Sequence, residues 1–390
     1  MNKFSKYFAI ILAIFISIST VSCVEFSASD GSSSESYMEN YDTAITSQLQ
    51  GKTVALLEGD VYEFASNYEK GKSIEFADGN EKVNRFAPKP VTIEWENSRL
   101  GAIYYTLRLG LEEDLSDATD YISTSTSIVI EDLFSAKHYF YQIYAHYEND
   151  EVTFSRIFDF YTQALPRTIW VEGVSNTRDI GGYFTTDGKY QVKQGMVYRG
   201  GEVDATWGNI TDAGKEKFIY TYGIKTDLDL RGAAIPSSPI NYEDTVLNYV
   251  NVSAPYYLGI VDRNYKEALI TEIKTFANPD NYPIYLHCSL GRDRAGTLAF
   301  LINALLGVSE EDLYRDYEMS FFSVNGFADA AQGSGKIPVL LNNLDVLYEY
   351  LMGLGGDTLA ENTEAFMLGY LGITEEEIAS IRKIMLEDIR

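Results

Sequence analysis

His287-Cys288-Ser289-Leu290-Gly291-Arg292-Asp293-Arg294-Ala295-Gly296-Thr297 separates a cysteine from an arginine by five residues and closes on Ala-Gly-Thr. The run before it, Tyr282-Pro283-Ile284-Tyr285-Leu286, is short and apolar and predicts a buried strand. The run after it, Leu298 to Leu306, is good helix-forming material that stops at Gly307, a C-cap residue. Ser289–Arg294 therefore joins a strand end to a helix start. Backbone N–H groups in such a loop form an anion nest, with the helix dipole behind them. A thiol there is expected to be largely thiolate at neutral pH. These residues predict a phosphoryl-binding loop in which Cys288 attacks phosphorus. The planar fork of Arg294 would grip two equatorial oxygens, and Ser289, Leu290, Gly291, Arg292 and Asp293 would complete the substrate cradle. A merely structural cysteine would explain the thiol but not the Gly-Arg-Asp-Arg crowd around it, since inert cysteines sit in apolar surroundings.

Three upstream blocks accompany the loop in order: Asn176-Thr177-Arg178-Asp179-Ile180-Gly181-Gly182-Tyr183, then Val197-Tyr198-Arg199-Gly200, then Gly223 to Arg231, ending Asp229-Leu230-Arg231. With them, residues 167–390 resemble the protein tyrosine phosphatase superfamily, and within it the bacterial tyrosine phosphatase family 3 group of broad-specificity enzymes. That group's loop reads His-Cys-x-x-Gly-Lys-Asp-Arg-Thr-Gly; here Arg292 stands for the lysine and Ala295 for the threonine. The resemblance implies an α/β domain with a small sheet and flanking helices, no cofactor and no metal. It implies hydrolysis of a phosphorylated protein, phospholipid or small phosphoester through a phosphocysteine, foremost as a protein tyrosine or dual-specificity phosphatase. Phosphoinositide or inositol phosphate hydrolysis is the alternative. It makes His287 an orienting residue for the thiol. For the general acid it points first to Asp293 in the loop and second to Asp262, where classical relatives carry a mobile acid loop. Asp229 is third. Asp229 and Asp179 could instead simply pair Arg231 and Arg178.

The chain has 390 residues, room for two cores. Its formal net charge of −26 argues against nucleic acid or an anionic membrane face as the main partner. Of the three histidines only His287 lies in the second half, so a Cys-His protease would lack its base. Residues 1–23 read as a targeting segment: basic Lys3 and Lys6, an apolar stretch Tyr7–Ile18 too short to span a bilayer, and Thr20-Val21-Ser22-Cys23, similar to a bacterial lipobox. The expectation is export and anchoring to the cell envelope through lipidated Cys23. One cysteine on a lipid and one in the loop leaves no disulfide.

Residues 24–50, rich in Ser, Asp and Glu, read as an acidic tether. Residues 51–165 read as an all-β sandwich, from the alternation in Val91–Trp95 and Tyr139–Ala145 and further strands at Thr126–Ile130 and Ser155–Tyr161. Val91–Thr162 resembles a fibronectin type III-like domain with Trp95 in its core. After a hinge at Leu165-Pro166-Arg167, residues 166–390 alternate strand and helix: strands at Lys225–Leu230 and Ile284–His287, a helix at Tyr265–Phe276, and helix starts at Ser309 and Thr374. Two other function classes remain open at this point. One is a surface protein that captures phosphorylated ligands without turnover; the other is rhodanese-like sulfur transfer, disfavoured by the loop length.

Overall fold

Val91, Ile93 and Trp95 alternate with Thr92, Glu94 and Glu96, and only the first set is buried. That pattern recurs in the first part of the chain. The computed structural model describes residues 41–73, 87–323 and 339–389. The targeting segment with Cys23 and the tether up to residue 40 lie outside the described residues. Residues 41–390 form one compact unit.

Its first part contains β1 (Ile45–Ser47), β2 (Lys52–Val54), α1 (Gly59–Ser66), β3 (Val91–Asn97), β4 (Tyr104–Gly110), β5 (Thr119–Ser123), β6 (Ser127–Ile130), β7 (His138–His146), β8 (Val152–Phe154) and β9 (Phe158–Thr162). One sheet runs β1-β3-β6; the other runs β2-β9-β7-β4-β5, with β8 on β7. Their inner faces share one core built on Ile93, Trp95, Leu107, Tyr141, Ile143 and Phe160. Two features depart from the sequence reading. Strand β1 lies inside the stretch expected to be tether, because Ile45 is apolar enough to join that core. Helix α1 interrupts the expected run of strands. Val61, Phe64 and Ala65 fall at helical spacing, and their buried face packs with Met319 and Phe322 of the second part.

The second part contains β10 (Arg178–Asp179), β11 (Tyr190–Val192), β12 (Val197–Gly200), β13 (Asp204–Ala205), β14 (Gly208–Asn209), α2 (Asp212–Glu216), β15 (Thr226–Asp229), β16 (Asn248–Asn251), α3 (Lys266–Ala277), β17 (Ile284–His287), α4 (Asp293–Leu306), α5 (Glu310–Met319), α6 (Val339–Met352), α7 (Leu359–Phe366), α8 (Glu375–Met385) and β18 (Leu386–Asp388). Its main sheet runs β10-β12-β17-β15-β16, parallel except for β10. Strand β17 is the central strand and is buried on both faces. Ile284 and Leu286 enter the core on the α4 side, whereas Tyr285 packs on the opposite side with Phe218 and Tyr198. Helix α4 is buried from Ala295 to Leu306 and ends at Gly307 in the left-handed conformation that residue tolerates. The expected capping boxes appear at Thr374, in full, and at Ser309, whose side chain accepts from the Asp312 N–H.

The two parts meet at the turn before β7. The Arg167 guanidinium donates to the Asp132 and Leu133 carbonyls at 2.7 and 3.1 Å and pairs Asp179 at 2.9 Å. The Asp132 carboxylate accepts from the Tyr222 hydroxyl at 2.8 Å and pairs Lys217 at 2.9 Å. No helix among the described residues is long and apolar enough to cross a membrane.

Candidate active site

Ligand sites of open parallel sheets lie beyond the carboxyl ends of the strands, and Cys288 follows the carboxyl end of β17, the middle strand. The loop it opens is held by its carbonyls. Ser289 O accepts from the Glu202 N–H at 3.1 Å. Leu290 O accepts from Asn176 Nδ2 at 2.8 Å. Arg199 Nη2 donates to Gly291 O at 2.8 Å and Arg292 O at 3.3 Å. In a planar trans peptide the N–H points opposite to the C=O. Four outward carbonyls therefore turn the N–H groups of Leu290, Gly291, Arg292 and Asp293 to the inside of the loop. That is the orientation an anion nest would need, and α4 begins directly behind it.

The tethers hang on one buried carboxylate that the sequence reading missed. Asp316 pairs Arg178 Nε at 2.7 Å and also pairs Arg199. Arg178 in turn donates to Asn176 Oδ1 at 2.6 Å. Burial alone would raise the Asp316 pKa, but the two guanidinium groups outweigh it and hold it below the usual carboxylate range. Of the two simple pairings the sequence left open, Asp229 does pair Arg231, whereas Asp179 does not pair Arg178. Neighbours on a strand point to opposite faces, so Arg178 turns to Asp316 while Asp179 turns to Arg167 and to the N–H groups of Gly181 and Gly195. Glycine is required where the loop meets β12. Gly291 has φ +68°, and a Cβ there would lie 2.3 Å from the Gly200 carbonyl carbon.

A cavity of about 400 Å³ opens over the loop, lined by Cys288, Ser289, Leu290, Arg292, Asp293 and Arg294 together with Trp207, Tyr256 and Tyr257. All the predicted loop residues except Gly291 line it, and Gly291 supplies backbone. Cys288 is a free thiol, 4% exposed. Among the described residues Arg294 makes no side-chain hydrogen bond or ion pair, so its charge faces the cavity uncompensated. Arg292 is partly engaged: its Nε and Nη2 fork the Asp293 carboxylate at 3.2 and 3.0 Å.

His287 and Asp227 lie 3.0 Å apart, both fully buried. The contact is off the hydrogen-bond axis and acts through charge. Burial lowers the His287 pKa, but the Asp227 and Asp229 carboxylates outweigh this and raise it, favouring the imidazolium. The Tyr285 ring stacks on the imidazole at 5.3 Å.

The three candidate acids sit in different settings. Asp293 lines the cavity and accepts a hydrogen bond from the Tyr257 hydroxyl. Asp262 is exposed, caps the short helical turn Arg263–Tyr265 by accepting from the Asn264 N–H at 2.9 Å, and is not among the cavity walls. Asp229 is buried and forked by Arg231 at 2.9 and 2.8 Å, with the Tyr249 hydroxyl at 3.0 Å. Burial pushes its pKa up, but Arg231 and His287 more than offset that, leaving it below the usual range. Arg231 also holds Glu202 at 3.3 Å, and Glu202 accepts from the Trp207 N–H at 2.8 Å, fixing the β13–β14 hairpin at the rim. No set of three His, Cys, Asp or Glu side chains suited to a metal ion converges among the described residues.

Comparison with known proteins agrees with this geometry. The tyrosine phosphatase family profile matches residues 169–387. A protein named as a probable tyrosine-protein phosphatase in Dictyostelium discoideum is 35% identical over 52 residues, 13% of this chain and 31% of its own. One named as a tyrosine-protein phosphatase in Cupriavidus necator is 25% identical over 170 residues, 37% of this chain and 59% of its own. The chain thus spans less than two thirds of either curated relative. Among solved structures, an α-L-rhamnosidase from Dictyoglumus thermophilum aligns over 30% of this chain and 13% of its own at 18% identity, with a TM-score of 0.17, too low to carry an assignment. The family match takes in more than half of the chain, including all four sequence blocks and the loop they support, and the chain belongs to the tyrosine phosphatase family.

Proposed function

We propose that this protein hydrolyses phosphate monoesters through a phosphocysteine, without a metal, acting as a protein tyrosine or dual-specificity phosphatase. The observation that carries the reading is a cavity floored by inward N–H groups, with a free thiol at its base and the uncompensated Arg294 guanidinium beside it. The Cys288 thiolate attacks phosphorus, forming the S–P bond as the bond to the leaving oxygen breaks. Arg294 and the loop amides hold the equatorial oxygens as charge develops. Water then displaces the thiolate from phosphorus, releasing phosphate. Hydrolysis of nitrophenyl phosphate in EDTA is the test: wild-type turnover that disappears in Cys288→Ser supports the reading. Turnover that requires added metal contradicts it, as does binding of phosphate esters with none turned over. Thiosulfate:cyanide transfer in place of hydrolysis would support the sulfur-transfer reading instead.

The aromatic rim of Trp207, Tyr256 and Tyr257 favours an aryl ester such as phosphotyrosine. The engagement of Arg292 with Asp293 leaves less free positive charge for polyphosphorylated inositols or phosphoinositides. A panel of phosphopeptides, phosphoinositides and inositol phosphates separates these substrates. We assign the general acid to Asp293, because it alone of the three candidates lines the cavity. Asp293→Asn is expected to lower kcat by about 10²–10⁴-fold for an alkyl phosphate and far less for nitrophenyl phosphate, whose leaving group departs unprotonated. Equal losses on both substrates would reduce the carboxylate to shaping the loop.

Gly291→Ala should push the loop off Gly200 and cost about 10²-fold in kcat/KM, the usual effect of misplacing reacting groups by about 1 Å; an unchanged value would show that the loop yields freely. The proposal extends to the rest of the chain as a fibronectin type III-like sandwich before a phosphatase domain spanning about 166–390, exported and anchored through lipidated Cys23. Radiolabelled fatty acid should then enter the wild type and not Cys23→Ala.

A further inference from the structure

Tyr257 reaches the site from outside every block that the sequence singled out. It sits at the start of the turn Tyr257–Val261 with φ +52°, a conformation that is uncommon and strained for a bulky residue. Helix α4 holds it at two points. Its N–H donates to Thr297 Oγ1 at 2.8 Å, and its hydroxyl donates to Asp293 Oδ1. The same hydroxyl contacts the hydroxyl of Tyr317 on α5, and both rings are buried. The family loop leaves room for this arrangement: a Cβ on Gly296 would lie 3.1 and 3.2 Å from the Tyr317 ring.

A phenol carries one proton and can also accept one. While Asp293 is ionised, Tyr257 donates to it, so Tyr317 must donate to Tyr257. When Asp293 is protonated, the chain can reverse: the acid donates to the Tyr257 oxygen, and Tyr257 donates to Tyr317. Burial, reinforced by the Asp293 charge, holds both phenols well above the ordinary tyrosine range, so neither gives up its own proton.

We propose that Tyr257 and Tyr317 form a reversible hydrogen-bond wire that holds Asp293 in one place through both of its proton states. They are positioning residues, and the proposal rests on Asp293 being the acid–base group of the phosphatase reading above. In the first step Asp293 gives its proton to the leaving oxygen as the P–O bond breaks, and Tyr257 turns to donate to the new carboxylate. In the second step the carboxylate takes a proton from the attacking water as the P–S bond breaks, and the wire reverses. Each phenol ends with the proton it began with.

Among the described residues the other groups facing Asp293 are few. Arg292 is its own neighbour on the loop, Cys288 and Arg294 share the cavity, and Arg199 lies behind on β12. The cavity residues from α6, Leu340 and Asn343, do not titrate.

The two tyrosines have unequal effects, because Tyr257 bonds Asp293 directly and Tyr317 acts only through Tyr257. Tyr257→Phe removes a donor to the carboxylate, so the ionised form is weakened. Tyr317→Phe leaves that donor in place and removes one partner of the Tyr257 hydroxyl in each state, the donor to it when Asp293 is ionised and the acceptor from it when Asp293 is protonated, so the two forms lose nearly alike. The experiment measures pH profiles of kcat for an alkyl phosphate and for nitrophenyl phosphate on the full chain. For the alkyl ester, the basic limb of the profile is expected to move up by about half to one pH unit in Tyr257→Phe and by clearly less in Tyr317→Phe. In each variant nitrophenyl phosphate should be affected much less. A limb that stays in place in Tyr257→Phe, or moves as far in Tyr317→Phe as in Tyr257→Phe, overturns the wire, as do equal losses on both esters. The leaving-group ratio is internal to each variant, so general damage to the fold shows as an equal loss. A wild type with no turnover, or a wild-type basic limb that survives Asp293→Asn, overturns the acid–base reading itself and the wire with it.

Discussion

Cys288→Ser is expected to lose phosphate-monoester turnover by roughly 10⁴–10⁶-fold while still folding and still binding phosphate esters. Nucleophilicity requires the ionised sulfur, and a serine hydroxyl is protonated near neutral pH. The side chain is 4% exposed and the substitution changes little in volume, so thermal unfolding should stay within a few degrees. The loop amides are untouched because their carbonyls are held from outside by Glu202, Asn176 and Arg199. The variant should therefore retain ligand and release it slowly. Arg294→Ala should cost about 10³–10⁵-fold, because no other uncompensated guanidinium lines the cavity among the described residues. The pair is read by kcat on nitrophenyl phosphate beside phosphate-ester binding by calorimetry. Near-wild-type turnover in Cys288→Ser would place the nucleophile elsewhere.

Asp316→Ala carries the largest expected stability effect, about 3–5 kcal/mol, because it leaves two fully buried guanidinium groups without their carboxylate. Burial and the Arg178 charge already lower the Arg199 pKa to about 10, so Arg199 has little to spare once Asp316 is gone. Urea unfolding measures the loss, and a change under 1 kcal/mol would mean that the loop tethers do not depend on Asp316. The pH dependence has a definite sign. The folded pKa of Asp316 is below its unfolded value of about 3.9. Its contribution is therefore present above about pH 4 and is lost as pH falls through the folded value. Asp316→Asn should accordingly flatten the acid side of the stability profile.

The strand, loop and helix around Cys288 were legible because each is local. An apolar run, a nest and a helix ending at glycine can all be read within about 25 residues, and Ile284–His287 and Gly307 fell where expected. The other blocks were legible as motifs but not as contacts. Asn176, Arg178 and Arg199 were visible in the sequence, yet Asp316, the common partner of the two arginines, is more than 100 residues away and nothing in its helical surroundings marks it. Tyr257 and Tyr317 were hidden among 30 tyrosines, and the backbone conformation that aims Tyr257 leaves no trace in composition. Helix α1 could have been found from the i, i+3, i+4 spacing of Val61, Phe64 and Ala65, but alternation in the neighbouring strands dominated the reading. The Asp132–Arg167 clamp escaped because a turn residue with φ +60° and a hinge arginine each look ordinary until they meet.

The covalent intermediate is the central claim, and acid quenching during steady-state turnover tests it most directly. Full-length protein is mixed with phosphotyrosine peptide in EDTA, quenched within the first turnovers, digested and examined by mass spectrometry. The account predicts one phosphoryl group on the peptide that carries Cys288, labile as a thiophosphate is. With nitrophenyl phosphate, whose leaving group needs no proton, Asp293→Asn is slowed mainly in the attack of water and should accumulate more of it; Cys288→Ser should carry none. Sustained turnover with no phosphoryl group on that peptide in any quench, or with the group on another residue, would contradict the account.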